Sequence, residues 1–142
     1  MSVLVTAIEP SRESLAQLVA EVPADQPLSM LNLLRFREQA AYSAELSAAP
    51  CSGRQAYAEY SRQVLPLLGA VGGELVWQGQ VHCALIAPPG EAWHSALLVK
   101  YPSKQAFLQI IQSAAYRAIV HHRTAALADS RLLASSAVQL PA

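Results

Sequence analysis

Nine residues, Leu28–Phe36 (LSMLNLLRF), constrain this chain more than any other stretch. Six of the nine side chains are apolar. The run follows Pro27 and is too short for a surface helix, so it reads as a central strand buried on both faces. Asn32 is its only amide. A buried amide without partners costs about 1–3 kcal/mol, so Asn32 must meet backbone at a bulge or face a ligand.

Around this strand the other elements fall into order. Residues 11–22 (SRESLAQLVAEV) read as a helix, with Ser11 as N-cap and Leu15, Leu18, Val19 and Val22 as one apolar stripe. Residues 37–53 have little pattern and read as a long loop or a frayed helical turn; loops this long are often lids, or simply mobile. Residues 54–71 resume a helical period with Tyr57, Tyr60, Val64, Leu67, Leu68 and Val71. Pro66 kinks that helix or marks its last turns, and Gly69 and Gly72-Gly73 close it. Residues 74–87 (ELVWQGQVHCALIA) read as a strand, turned at Pro88-Pro89-Gly90 into a second strand over 93–101. Ser103 caps a helix with Phe107, Ile110 and Ile111 on its apolar face. A further helical piece covers 114–128 and breaks at Asp129-Ser130, and a last strand covers 131–139.

From residue 28 the order is β-α-β-β-α-β, the ferredoxin-like split βαβ pattern with an extra N-terminal helix. The fold class expected is α+β, a four-stranded antiparallel sheet with helices on one face. The chain reads as a single domain over 1–142: a core over 28–138, an N-terminal helical extension over 1–27 and the long loop over 38–52. The strands are apolar on both parities, so the second sheet face needs a cover, and a second copy of the sheet supplies it. Composition agrees, because 53% hydrophobic against 14% charged residues leaves the surface short of polar cover. A homodimer is the expectation.

Net charge is zero, which argues against nucleic acid and against a polybasic membrane contact. No apolar run approaches the length of a membrane span. The opening MSVLVTAIEP lacks a basic region and a cleavage pattern, so the expectation is a cytoplasmic protein. Cys51 and Cys83 have no metal spacing and are too few for a disulfide framework. Cys83 reads as a buried small hydrophobe and Cys51 as the exposed thiol.

Gly53, Tyr57, Tyr60 and Gly72-Gly73, then YPSKQAFLQIIQSAAYRAIVHHR with Tyr101-Pro102-Ser103, Phe107, Ser113, Tyr116 and Arg123, and finally Ala128-Asp129-Ser130, resemble the DUF1330 family over roughly residues 28–138. That resemblance implies the dimeric α+β barrel fold and a homodimer, with no established reaction. The wider superfamily includes cofactor-independent monooxygenases, isomerases, haem-degrading enzymes and ligand-binding modules.

Several groups bear chemistry. His121-His122-Arg123 places a histidine beside an arginine, an acid–base or anion-binding corner, or else a surface histidine that the dipole of a helix C-terminus favours. Adjacent helical residues point about 100° apart, so the two histidines do not chelate one ion. Arg35 and Arg37 end the central strand and Arg54 starts the next helix, and arginines outnumber lysines eight to two. Clustered guanidiniums suit a carboxylate ligand, and equally they pair with Glu38, Glu45 and Glu59. Trp77, Tyr57, Tyr60, Tyr101 and Tyr116 line an apolar pocket or fill the core. His82 and His94 lie on neighbouring strands without a third ligand, so no metal is expected. No G-x-S-x-G, P-loop or dinucleotide fingerprint occurs.

The expected function is small-molecule binding, extending to cofactor-independent chemistry on a small aromatic or enolisable acid. His122 moves a proton, and Asn32 with Arg123 holds the substrate's oxygens. Arg35, Arg37, Trp77, Tyr60, Tyr101 and Tyr116 surround the ligand. The alternatives are a non-catalytic ligand- or partner-binding or stress-response module of the same fold and, less favoured, a haem-handling protein.

Overall fold

A computed structural model describes residues 5–140 of the chain. Residues 1–4, which open the stretch read for a leader, lie outside the described residues. The elements run α1 (Arg12–Glu21), β1 (Leu28–Phe36), α2 (Gly53–Ala70), β2 (Glu74–Gln80), β3 (Ser95–Tyr101), α3 (Lys104–Ile111), α4 (Ala114–Arg117), α5 (Val120–Ala126) and β4 (Leu127–Ser135). The strands pair antiparallel in the order β2-β3-β1-β4. This is the ferredoxin-like α+β arrangement, with the apolar β1 at an inner position.

Helix starts follow hydroxyl caps. Ser11 and Ser52 each accept from the backbone N–H three residues on and form capping boxes with Ser14 and Gln55. Ser103 and Ser113 cap α3 and α4 in the same way. Such a cap is typically worth about 1 kcal/mol. At the other end of α1 no basic residue lies in the last turn. Lys104 of α3 supplies the cation instead: its buried Nζ donates to the carbonyls of Val19 at 2.5 Å and Val22 at 2.6 Å. Helix C-termini favour such a charge.

The core forms two clusters on one face of the sheet. Leu34, Leu97, Ala56, Tyr57, Tyr60, Ala126 and Leu127 make the first. Leu18, Leu28, Met30 and Phe107 make the second. Asn32 shares this face and lies between them. By alternation the opposite face carries Leu31, Leu33, Ala96 and Leu98, with Trp77 opposite Leu98 and Leu133 opposite Leu31. Trp77 and Leu133 are 55% and 54% exposed.

Four boundaries depart from the sequence reading. β2 ends at Gln80 rather than 87. Val81 still donates to the His94 carbonyl at 3.0 Å, and then the chain leaves the sheet. Pro88 and Pro89 carry no N–H to continue a ladder, and β3 begins only at Ser95. Leu85 and Ile86 are therefore 91% and 95% exposed. Cys83 is exposed rather than buried, and Cys51 is half-buried rather than the exposed thiol.

The segment 114–128 is two short helices, and β4 starts at Leu127 and ends at Ser135, not at 131 and 139. Asp129-Ser130 does not break the chain; both residues are buried inside β4. The Asp129 carboxylate accepts from the N–H groups of Ala7 at 2.9 Å and Ser130 at 2.8 Å, and from Arg131 at 2.7 Å. Ser130 donates through N–H and Oγ to the Ala7 carbonyl. The N-terminal segment thus satisfies polar groups that would otherwise end a strand.

The loop after β1 is stitched down by backbone bonds. Arg37 and Ala41 donate to the carbonyls of Ala126 and Ala125, both at 2.8 Å, and Ala40 donates to Cys51. Gly53 sits in the tightest place. A Cβ there would stand 2.6 Å from the Ala126 carbonyl oxygen and closer still to that of Arg37.

Candidate functional site

The stitched loop carries Tyr42 to the surface of α5. There its hydroxyl lies 2.6 Å from Nδ1 of His122. The two rings meet edge-on with centroids 5.6 Å apart, and the His121 ring lies 4.1 Å from that of His122. Burial and the neighbouring His121 lower the His122 pKa from its ordinary 6.5, against a smaller opposing pull from Glu59. At neutral pH the imidazole is therefore uncharged. The Tyr42 phenol is raised, chiefly by burial and next by the Cys51 thiol, so it keeps its proton.

A phenol bonded to Nδ1 controls the other ring nitrogen. With the phenol as donor, Nε2 carries the imidazole proton; with Nδ1–H as donor, Nε2 is a free base. The pair can therefore present either an acid or a base at Nε2. Tyr42 also lines an open surface depression of about 420 Å³ with Gln39, Ala40, Ala48, Ala49 and Pro50. A neighbouring depression of about 450 Å³ is lined by Glu38, Gln39, Cys51 and Ser52. Glu59 is held down to about 2 by hydrogen bonds from Arg62 and Gln63 and stays anionic.

Beneath this surface lies a tyrosine cluster. The hydroxyls of Tyr60 and Tyr116 are 3.1 Å apart, and the rings of Tyr57 and Tyr60 lie 5.3 Å apart. Burial raises Tyr57 to about 12, although the nearby Arg123 pulls it down. Tyr60 and Tyr101 are raised by burial and by neighbouring tyrosines. Tyr57, Tyr60 and Tyr101 are neutral packing groups at physiological pH.

A family comparison decides the chain's kinship. The domain of unknown function DUF1330 matches residues 46–136. The chain belongs to the DUF1330 family. RPA0582, a protein of unknown function from Rhodopseudomonas palustris, is 38% identical to this DUF1330 chain. The alignment covers 96% of this chain and 100% of RPA0582, with a TM-score of 0.87. A DABB family protein with a ferredoxin-like fold from Mesorhizobium loti matches at 10% identity, 80% and 98% coverage and a TM-score of 0.52. A hydroxynitrile lyase from Passiflora edulis matches at 13% identity, 82% and 99% coverage and a TM-score of 0.54. The last two likenesses show the fold alone. A search of curated proteins found no match.

In this DUF1330 chain the residues singled out from the sequence fall in separate places. His122 stands with Tyr42. Arg123 turns inward, is buried, and donates to the Ile8 carbonyl at 2.5 Å. Asn32 is half-buried on the helix-side sheet face, opposite Leu97 and Leu132. Asn32, Arg123 and His122 do not line the depression at Tyr42, and His122 is joined to it through the Tyr42 hydroxyl. Tyr60 and Tyr116 share a hydrogen bond, and Tyr101 packs edge-on against Phe107 at 5.4 Å. Trp77 lies on the opposite face of the sheet from the tyrosines. Arg35 is half-buried at the end of β1, and Arg37 is exposed. Among the described residues no group of three or more His, Cys, Asp or Glu side chains is placed to hold a metal ion. His82 lies exposed in the loop after β2.

Tyr42 went unremarked as a site residue in the sequence. It lies 80 residues from His122 in an unpatterned loop, and no local motif links the two. Only the bonds tying Ala41 to Ala125 and Arg37 to Ala126 bring them together.

Proposed function

We propose that this protein binds a small molecule at the depression beside Tyr42 and transfers a proton there through His122, without a dedicated cofactor. The observation that carries this is the 2.6 Å bond between His122 and Tyr42, a residue that lines an open depression. A neutral imidazole whose partner can donate or accept is suited to general acid–base work near pH 7. The substrate class that fits is a small enolisable or phenolic acid, whose acidic proton the imidazole removes and returns. The identity of that acid is read from the test, not from the fold.

The protomers form a homodimer through the sheet face that bears Leu31, Leu98, Trp77 and Leu133. Half-exposed Trp77 and Leu133 on one flat face support a cover of this kind. The two free thiols suit a reducing, cytoplasmic setting. No helix among the described residues is long and apolar enough to cross a membrane.

The test is solvent-deuterium exchange of the acidic C–H protons of a panel of enolisable acids, followed by proton NMR. Exchange by the native protein that is lost in His122→Ala supports the reading. No exchange, or exchange unchanged in His122→Ala, overturns it. The shallowness of both depressions favours a second reading, a binding module without chemistry. Ligand-observed NMR that finds binding to the same panel without exchange would establish that alternative.

A further inference from the structure

Phe36 ends β1 and gathers three side chains. The Arg54 guanidinium carbon lies 4.9 Å from the ring centroid. The His94 ring stacks on it at 5.9 Å with an interplanar angle of 16°. Tyr57 closes the buried side at 5.5 Å. Backbone bonds fix the histidine. Its own N–H donates to the Leu34 carbonyl at 2.8 Å, and the Phe36 N–H donates to His94 Nδ1 at 3.0 Å.

That second bond settles the tautomer. A backbone amide can only donate, so Nδ1 carries no proton. The neutral imidazole therefore holds its proton on Nε2, which becomes a donor. Burial, Arg54 and Arg35 keep His94 below its ordinary pKa of 6.5, so the ring stays neutral near pH 7. The Arg54 guanidinium shares the Phe36 ring with it. The salt bridges among the described residues are Arg62–Glu59 and Arg131–Asp129, so neither Arg35 nor Arg54 has a carboxylate partner there.

We infer that this corner binds the carboxylate of a small flat organic acid, with Arg54 as the cationic arm and His94 Nε2–H as a neutral donor. Guanidinium forks match carboxylate geometry. The Phe36–His94 stack offers a flat apolar shelf for the body of the acid. This site shares no residue with the Tyr42–His122 pair and stands or falls separately.

The probe is benzoate, with benzamide as its neutral isostere, titrated into the native protein and followed by NMR at the His94 ring and the arginine Nε–H groups. Benzoate should shift these signals saturably with a Kd of about 1 mM, and benzamide should bind at least about tenfold more weakly. Arg54→Gln should weaken benzoate by about tenfold with the amide spectrum still dispersed. Arg54→Lys, which keeps a charge and loses the fork, should weaken benzoate less and replaces Arg54→Gln if that variant loses dispersion. His122→Ala should bind benzoate as the native protein does. Absent shifts, equal binding of benzamide, or benzoate binding unaltered in both arginine variants would each overturn the proposal.

Discussion

Tyr42, which lines a surface depression, and His122, 80 residues away, share a hydrogen bond of 2.6 Å. The bond joins an unpatterned loop to a short helix. Its geometry depends on the backbone stitches that hold the loop, so the pair is only as well positioned as those stitches.

Gly53 is the tightest of them. Gly53→Ala should destabilise the fold by about 1–3 kcal/mol, as overpacking does, because backbone carbonyls rather than flexible side chains must move. Denaturant midpoints check this. The Tyr42 and His122 ring signals should shift in the same variant. A midpoint equal to that of the native protein would contradict it.

The Tyr60–Tyr116 pair should respond asymmetrically. Tyr60 is buried and Tyr116 only partly so. Tyr116→Phe leaves a buried hydroxyl without its partner and should cost about 1–3 kcal/mol. Tyr60→Phe leaves a hydroxyl that water can reach and should cost about 1 kcal/mol or less. Chemical denaturation of the two variants orders them, and the reverse order would be evidence against the assigned burial.

Lys104 should matter more than a lysine usually does. Its ammonium caps α1 through two carbonyls. Lys104→Met should cost about 2–3 kcal/mol, the range for hydrogen bonds to a charged group. Hydrogen exchange should quicken over residues 12–22 first. Uniform loosening of the whole chain would argue against a local cap.

Stability should fall on acidification in two stages. His94 and His122 have folded pKa values below 6.5. The unfolded chain therefore takes up protons first as pH falls below 6.5, and unfolding free energy declines from there until the folded pKa values are passed. Asp129 is lowered from 3.8 despite its burial, by bonds from Ala7, Arg131 and Ser130. Its contribution is present above 3.8 and lost as pH falls through its folded value. Melting curves across pH 3–8 check both stages; His94→Gln or His122→Gln should flatten the upper one.

The fold was legible where physics is local. Leu28–Phe36 has too few polar side chains to lie anywhere but inside a sheet, and Ser11 and Ser103 announce their helices. Legibility failed where a distant partner decides the outcome. Asp129-Ser130 has the composition of a breaker, yet Ala7, more than 120 residues earlier, satisfies both side chains. The run from Val81 to Ile86 has the composition of a strand, yet no pairing strand extends beside it, so Leu85 and Ile86 stay exposed. The candidate site follows the same rule. His122 stood out as a titratable group beside an arginine. Tyr42 and the Nδ1 bond of His94 depend on backbone contacts that no spacing in the chain reveals.

The most direct measurement follows exchange of an enolisable acid against pH alongside NMR titration of the His122 ring. The rate should rise with pH through a midpoint below 6.5 that coincides with the His122 titration, and it should vanish in His122→Ala. A rate that is flat across that titration, or that survives in His122→Ala, would contradict a proton-transferring His122.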